Sequence, residues 1–206
     1  MRKIFLTVLF LFLSNIARSE EPQPYKLGGI TPVILEDIGP YTSLEPTRIL
    51  VIKSPGGVIN TAFSMVPHLG KVICVVDFAA SAALQIVLPA CDERYYLPWA
   101  VVAFHSAHAI IMVPPFRPFA INMWDAAELT KTLEADNKRM LRHMLASGIP
   151  FSPNELLKHI KEETVFRGPQ ISQAFGDWLR PISQCASCPI SWKRMTKENN
   201  PALRGQ

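Results

Sequence analysis

Two strand-turn-helix units in direct succession restrict this chain more than any other feature. The run Arg48-Ile-Leu-Val-Ile-Lys53 ends in Ser54-Pro55-Gly56-Gly57, and the run Lys71-Val-Ile-Cys-Val-Val76 is soon followed by Ala79-Ala80-Ser81-Ala82-Ala83. Short, continuously apolar, β-branched runs bounded by turn signals read as strands buried on both faces. Val58 to Leu69 and Ala79 to Ala90 read as short helices, the second made of small, closely packing residues. Strands of this kind alternating with helices imply an α/β protein built from repeated βαβ units, with a parallel sheet flanked by helices.

The two turns have a chemistry. Glycine lacks Cβ, so Gly56-Gly57 can take positive φ and bring its N–H groups close to a ligand. Ser81 stands near a helix start, where unpaired N–H groups and the positive dipole end favour negative charge. A serine there can attack a carbonyl while the N–H of Ala82, with one from Gly56 or Gly57, stabilises the oxyanion. The base comes from elsewhere, and His105 is the leading choice because it ends the strand-like run Trp99-Ala-Val-Val-Ala-Phe104. Parallel-sheet proteins place their chemistry at strand ends. Each signal alone is ordinary: Pro-Gly-Gly is a common turn, and Ala-Ala-Ser-Ala-Ala a common helix contact.

Their order and spacing narrow the reading. Ser54-Pro-Gly-Gly57 after a strand, Ala79-Ala-Ser81 after the next, Leu97-Pro98, and Phe104-His105 at a strand end resemble the proteolytic subunit of the Clp protease and its relatives in the ClpP/crotonase superfamily. The resemblance covers about sixty residues well and some forty more weakly. It implies a ClpP/crotonase-like fold, with Ser81 as nucleophile, His105 as general base, and Gly56 or Gly57 with Ala82 as the oxyanion hole. The family's third member is an aspartate beside a threonine. The matching stretch here is Lys161-Glu162-Glu163-Thr164, which offers Glu163, with Glu162 beside it, where the family has aspartate.

Outside this block the chain supplies its setting. Arg2-Lys3, the apolar run Ile4 to Leu13 and the small residues Ala17 and Ser19 form a signal-peptide pattern. Cleavage near Ser19 and export to a periplasmic or extracellular location are expected. Residues 20–206 then form one domain, flexible after about 192. Loss of three cations, Arg2, Lys3 and Arg18, takes the formal net charge from +4 to +1, giving no argument for nucleic acid. Gly39 to Pro46 holds too many breakers for the full first helix of the Clp-type pattern. Ile111 to Ala120, with three prolines and two phenylalanines, is apolar enough for a flap or a contact surface.

Residues 123–145 carry apolar positions at helical spacing, among them Ala126, Leu129, Leu133, Met140 and Met144. In the Clp family the corresponding helix makes subunit contacts, so the resemblance allows a homo-oligomer. A helix lying flat on its own domain fits equally. Ser152-Pro-Asn-Glu155 reads as a capping box opening a helix that runs to Glu163.

Of four cysteines, Cys74 and Cys91 read as small apolar packing, whereas Cys185-Ala-Ser-Cys188 reads as a local disulfide in an exported chain. A second pair at zinc-site spacing is missing. His105 with His108 would need a helix to form a metal pair, so neither metal nor another cofactor is expected. The leading function is an extracytoplasmic serine hydrolase, a peptidase acting on peptides or unfolded chains with no ATPase partner. Two alternatives stay open: a non-catalytic binding or assembly protein that keeps the fold, and a crotonase-type acyl-CoA enzyme, which export opposes.

Overall fold

The computed structural model describes residues 32–40, 42, 47–107 and 123–188, with only the backbone for 123–129. The signal-peptide pattern, most of Gly39 to Pro46, His108, the Ile111 to Ala120 segment and the tail after 192 therefore lie wholly or largely outside the described residues. Among the described residues, no helix is long and apolar enough to cross a membrane.

The apolar runs become the centre of a mostly parallel sheet. In chain order the strands are β1 (Val33–Leu35), β2 (Ile49–Ser54), β3 (Ile73–Ala80), β4 (Glu93–Ala103), β5 (Val165–Arg167) and β6 (Arg180–Pro181). Spatial order is β1-β2-β3-β4-β5, with β6 also pairing β4. β1 to β4 run parallel, β6 joins β4 in parallel, and β5 is antiparallel to β4. Helix α1 (Ile59–Met65) follows β2. A π-helical turn (Ala83–Val87) running into α2 (Leu88–Ala90) follows β3. The α/β class with a parallel core and flanking helices is thus what the alternating runs implied.

The strands differ from expectation at their ends. β3 continues through Ala80, and its last two residues pair with Val102 and Ala103 of β4. The helix expected from Ala79 begins after them, because small residues at 79 and 80 fit a crowded strand end as well as a helix. The segments Tyr95-Tyr96 and Val101–Ala103 belong to one strand whose pairing with β3 is interrupted around Pro98, opposite Asp77. Proline donates no ladder hydrogen bond and settles at such an irregularity. Trp99 Nε1 donates to Asp77 Oδ1 at 2.8 Å there, and burial raises the Asp77 carboxyl above its ordinary value.

The long helix α3 (Met123–Ala146) rests its C-terminal half on the domain. Met140 and Met144 are buried, Arg139 lies 3.6 Å over the Phe63 ring, and His143 Nε2 donates to the Ile86 carbonyl at 2.9 Å. That last bond ties α3 to the π-helical turn. Helix α4 (Pro153–Lys161) opens with the capping box read from sequence: Ser152 Oγ accepts from Glu155 N, and Glu155 Oε2 accepts from Ser152 N. It ends at Lys161, two residues before Glu163. Glu163 takes a left-handed φ of 51° and turns the chain into β5. Helix α5 (Pro169–Phe175) follows, ended by Gly176.

One cysteine assignment is corrected. Cys185 and Cys188 form the expected local disulfide, but Cys74 and Cys91 are joined as well and are not merely packed. Cys74 lies at the start of β3 and Cys91 just after α2, so the βαβ crossover returns the second thiol to the first. Separated by 17 positions and each buried, they read individually as packing residues. Both disulfides are compatible with an oxidising compartment.

This bridge closes the loop that carries Ser81. Replacing Cys74 and Cys91 together by alanine should cost about 2–4 kcal/mol in equilibrium denaturation. A loss under about 0.5 kcal/mol would show that the crossover is held without it. Acid should also weaken the fold through His143 and His159, both lowered chiefly by burial. Their contribution is complete above the ordinary histidine value of 6.5 and is lost as pH falls through the lowered values. Denaturation at a series of pH values, repeated with His143→Leu and His159→Leu, checks the sign.

Candidate active site

The C-terminal ends of β2, β3 and β4 lie side by side, and each carries one of the motifs. Ser54 pairs with Ala79, and Ala80 pairs with Ala103. The Ser-Pro-Gly-Gly turn, Ser81 and His105 therefore leave the sheet at one edge. Such an edge is where open α/β sheets place ligands.

Ser81 joins β3 to the helical turn with φ of 51°, left-handed for a residue with a side chain. A non-glycine residue held this way costs about 1–3 kcal/mol and persists only where its surroundings determine it. What determines it here is the glycine turn. A Cβ added to Gly56 would stand 2.5 Å from Ser81 Cβ, 2.8 Å from the Ala80 carbonyl and 2.9 Å from the Ala82 nitrogen. The turn and the serine are thus in direct contact, and only glycine permits it.

The turn's N–H groups divide. Gly56 N donates to Ser54 Oγ at 3.1 Å, a buried bond that explains a serine at the head of the motif. Val58 N donates to the Ile38 carbonyl at 2.7 Å, and Ile38 N donates to the Gly56 carbonyl at 3.1 Å. The C=O and N–H of one trans peptide point oppositely. Since the Gly56 carbonyl faces Ile38, the Gly57 N–H faces the other way, toward the β3 side where Ser81 lies. Gly56 thus supplies room, and Gly57 an outward donor beside Ala82 at the first turn of the helix.

His105 continues β4, and its Nδ1 lies 2.7 Å from the Ser106 carbonyl. A carbonyl only accepts, so this contact fits the tautomer with the proton on Nδ1. Beneath it Phe104 is buried in an aromatic group with Phe151, His159, Phe166 and Phe175, stacked on Phe175 at 6.2 Å between ring centres. Phe104 N also donates to the Thr164 carbonyl at 3.0 Å, so the segment holding Glu163 runs beside His105. Glu162 and Glu163 are exposed. The structure thus brings Ser81, Ala82, Gly56 and Gly57 together, sets His105 on the adjoining strand end, and places Glu163 at the neighbouring turn.

Two side chains near His105 escaped the sequence reading. Gln85 is fully buried in the π-helical turn, and its Nε2 donates to the His105 carbonyl at 2.7 Å. Its Oε1 has no hydrogen-bond partner among the described residues. A buried unsatisfied acceptor costs about 1–3 kcal/mol, so leucine would suit the helix better than glutamine unless the bond to His105 matters. The signal was a single polar residue within Ala82 to Ala90. Asn137 of α3 accepts from Ala107 N at 3.0 Å through Oδ1, and nothing in the sequence marks it.

Gly56→Ala should therefore destabilise the fold by about 2 kcal/mol or more, combining positive-φ strain with contact against Ser81. A thermally unchanged Gly56→Ala protein would show that the turn and the serine do not touch. No protein-family model matches the chain, and no curated protein matches it in sequence.

Proposed function

We propose that the protein is a serine hydrolase with a ClpP/crotonase-like fold, a peptidase acting outside the cytoplasm on peptides or already unfolded chains without an ATPase partner. The observation that carries this reading is Ser81 held in a left-handed conformation against a glycine turn at the edge where β2, β3 and β4 end. A strained serine between strand and helix presents its hydroxyl outward, the arrangement used by nucleophilic serines on α/β sheets.

In this mechanism the Ser81 hydroxyl attacks the scissile carbonyl as its proton passes to His105 Nε2. The negative charge that develops on the carbonyl oxygen meets the N–H groups of Gly57 and Ala82. Collapse of the tetrahedral species expels the amine, which takes the proton back from His105 and leaves an acyl ester on Ser81. Water, deprotonated by His105, then hydrolyses the ester. The sequence resemblance and the export pattern favour a peptide substrate, and the two disulfides are compatible with that setting. A homo-oligomer formed through the exposed part of α3 belongs to the same proposal.

A fluorophosphonate probe tests the reading in the mature protein. The adduct, located by peptide mass, should sit on Ser81, vanish in Ser81→Ala and form at least ~10²-fold more slowly in His105→Ala. A folded protein that never labels would refute the hydrolase and favour a binding protein with the same fold.

A further inference from the structure

A serine-histidine pair needs its imidazole held with the proton on the nitrogen remote from serine, and a carboxylate is the usual means. Here the contact of His105 Nδ1 is with a backbone oxygen, the carbonyl of Ser106, at 2.7 Å. That carbonyl belongs to the peptide group whose N–H is Ala107 N, and Ala107 N donates to Asn137 Oδ1 at 3.0 Å. The preceding peptide is fixed too, since its carbonyl, that of His105, accepts from Gln85 Nε2 at 2.7 Å. Two successive peptide planes are thus pinned, one by α3 and one by the π-helical turn.

We propose that the Ser106–Ala107 peptide group, anchored by Asn137 and Gln85, does for His105 what a carboxylate does in a Ser-His-acid triad. This rests on the reading of Ser81 and His105 as nucleophile and base. Asn137 and Gln85 are positioning residues that touch no substrate. Donation from Ala107 N into Asn137 polarises the peptide and makes the Ser106 oxygen a stronger acceptor. When His105 takes the serine proton, the imidazolium keeps its Nδ1–H on that oxygen. Gln85 adds a mechanical link, because it sits four residues after Ser81 and grips the residue that must receive the Ser81 proton. Its buried Oε1, without a partner among the described residues, marks a side chain kept for the bond its other end makes.

The test reads the tautomer and the chemistry separately. In long-range proton–nitrogen spectra of histidine-labelled protein near pH ~8.5, where an ordinary imidazole is neutral, His105 should carry its proton on Nδ1. Asn137→Leu should shift it toward the Nε2–H form and lower the maximal rate of fluorophosphonate labelling about 10-fold, with little change in half-saturating probe concentration. Asn137→Asp, which keeps the acceptor, should restore the rate to within about threefold. Gln85→Met should act like Asn137→Leu, and Glu163→Gln should slow labelling less than either.

Circular dichroism and melting confirm that each variant is folded. An Nε2–H tautomer in the unaltered protein, or tautomer and rate both unmoved in folded Asn137→Leu and Gln85→Met, overturns the proposal. A tautomer that depends on Asn137 in a protein that never labels supports the positioning while removing the hydrolase.

Discussion

Position 56 admits no side chain, because the Ser-Pro-Gly-Gly turn crosses directly against the residue that follows β3. A Cβ there would meet Ser81 Cβ and the backbone on both sides of it at under 3.0 Å. The turn sits against Ser81 in its left-handed conformation, at a strand end built of buried alanines at 79, 80, 82 and 83. On the other side the Gly56 carbonyl accepts from Ile38 N, which leaves the Gly57 N–H on the β3 side. The cost of a strained residue with a side chain, about 1–3 kcal/mol, must be offset by packing around it. The buried strands β2 and β3 provide that packing.

The imidazole side of the site rests on a different interaction. Just past β4, the buried Phe104 that precedes His105 is enclosed by aromatic rings from α4, β5 and α5 and from Phe151. A fully buried phenylalanine contributes about 1.5–3 kcal/mol, enough to fix the strand end but not to orient the ring beyond it. The backbone around it is held from the elements packed against that end: Gln85 Nε2 donates to the His105 carbonyl, and Asn137 Oδ1 accepts from Ala107 N. Serine and histidine are thus positioned by separate means: steric exclusion for one, polar anchoring for the other.

Much of this was legible in the chain because it depends on local rules. Continuous apolar runs gave β2 and β3, the Ser152 to Glu155 pattern gave the start of α4, and the Cys185 and Cys188 spacing gave the local disulfide. The Gly56-Gly57 turn and the Ala79-Ala-Ser-Ala-Ala83 cluster pointed to one shared site, and the structure adds that Gly56 lies directly against Ser81. What escaped the sequence depends on tertiary contact. Cys74 and Cys91 meet only because the crossover returns on itself. Asn137 reaches Ala107 only because α3 lies back on the domain. Glu163 looked like the end of a helix, whereas the helix stops at Lys161 and Glu163 becomes an exposed turn residue.

In the hydrolase we propose, the glycine turn and Ala82 beside Ser81 bind the oxyanion of a tetrahedral adduct on that serine. A crystal structure of the mature protein soaked with a peptide boronic acid addresses it directly. The expected result is a tetrahedral boronate bonded to Ser81 Oγ, with one boron oxygen accepting hydrogen bonds from Gly57 N and Ala82 N. A boronate absent from Ser81, or bound there with its oxygens turned away from both N–H groups, would contradict it.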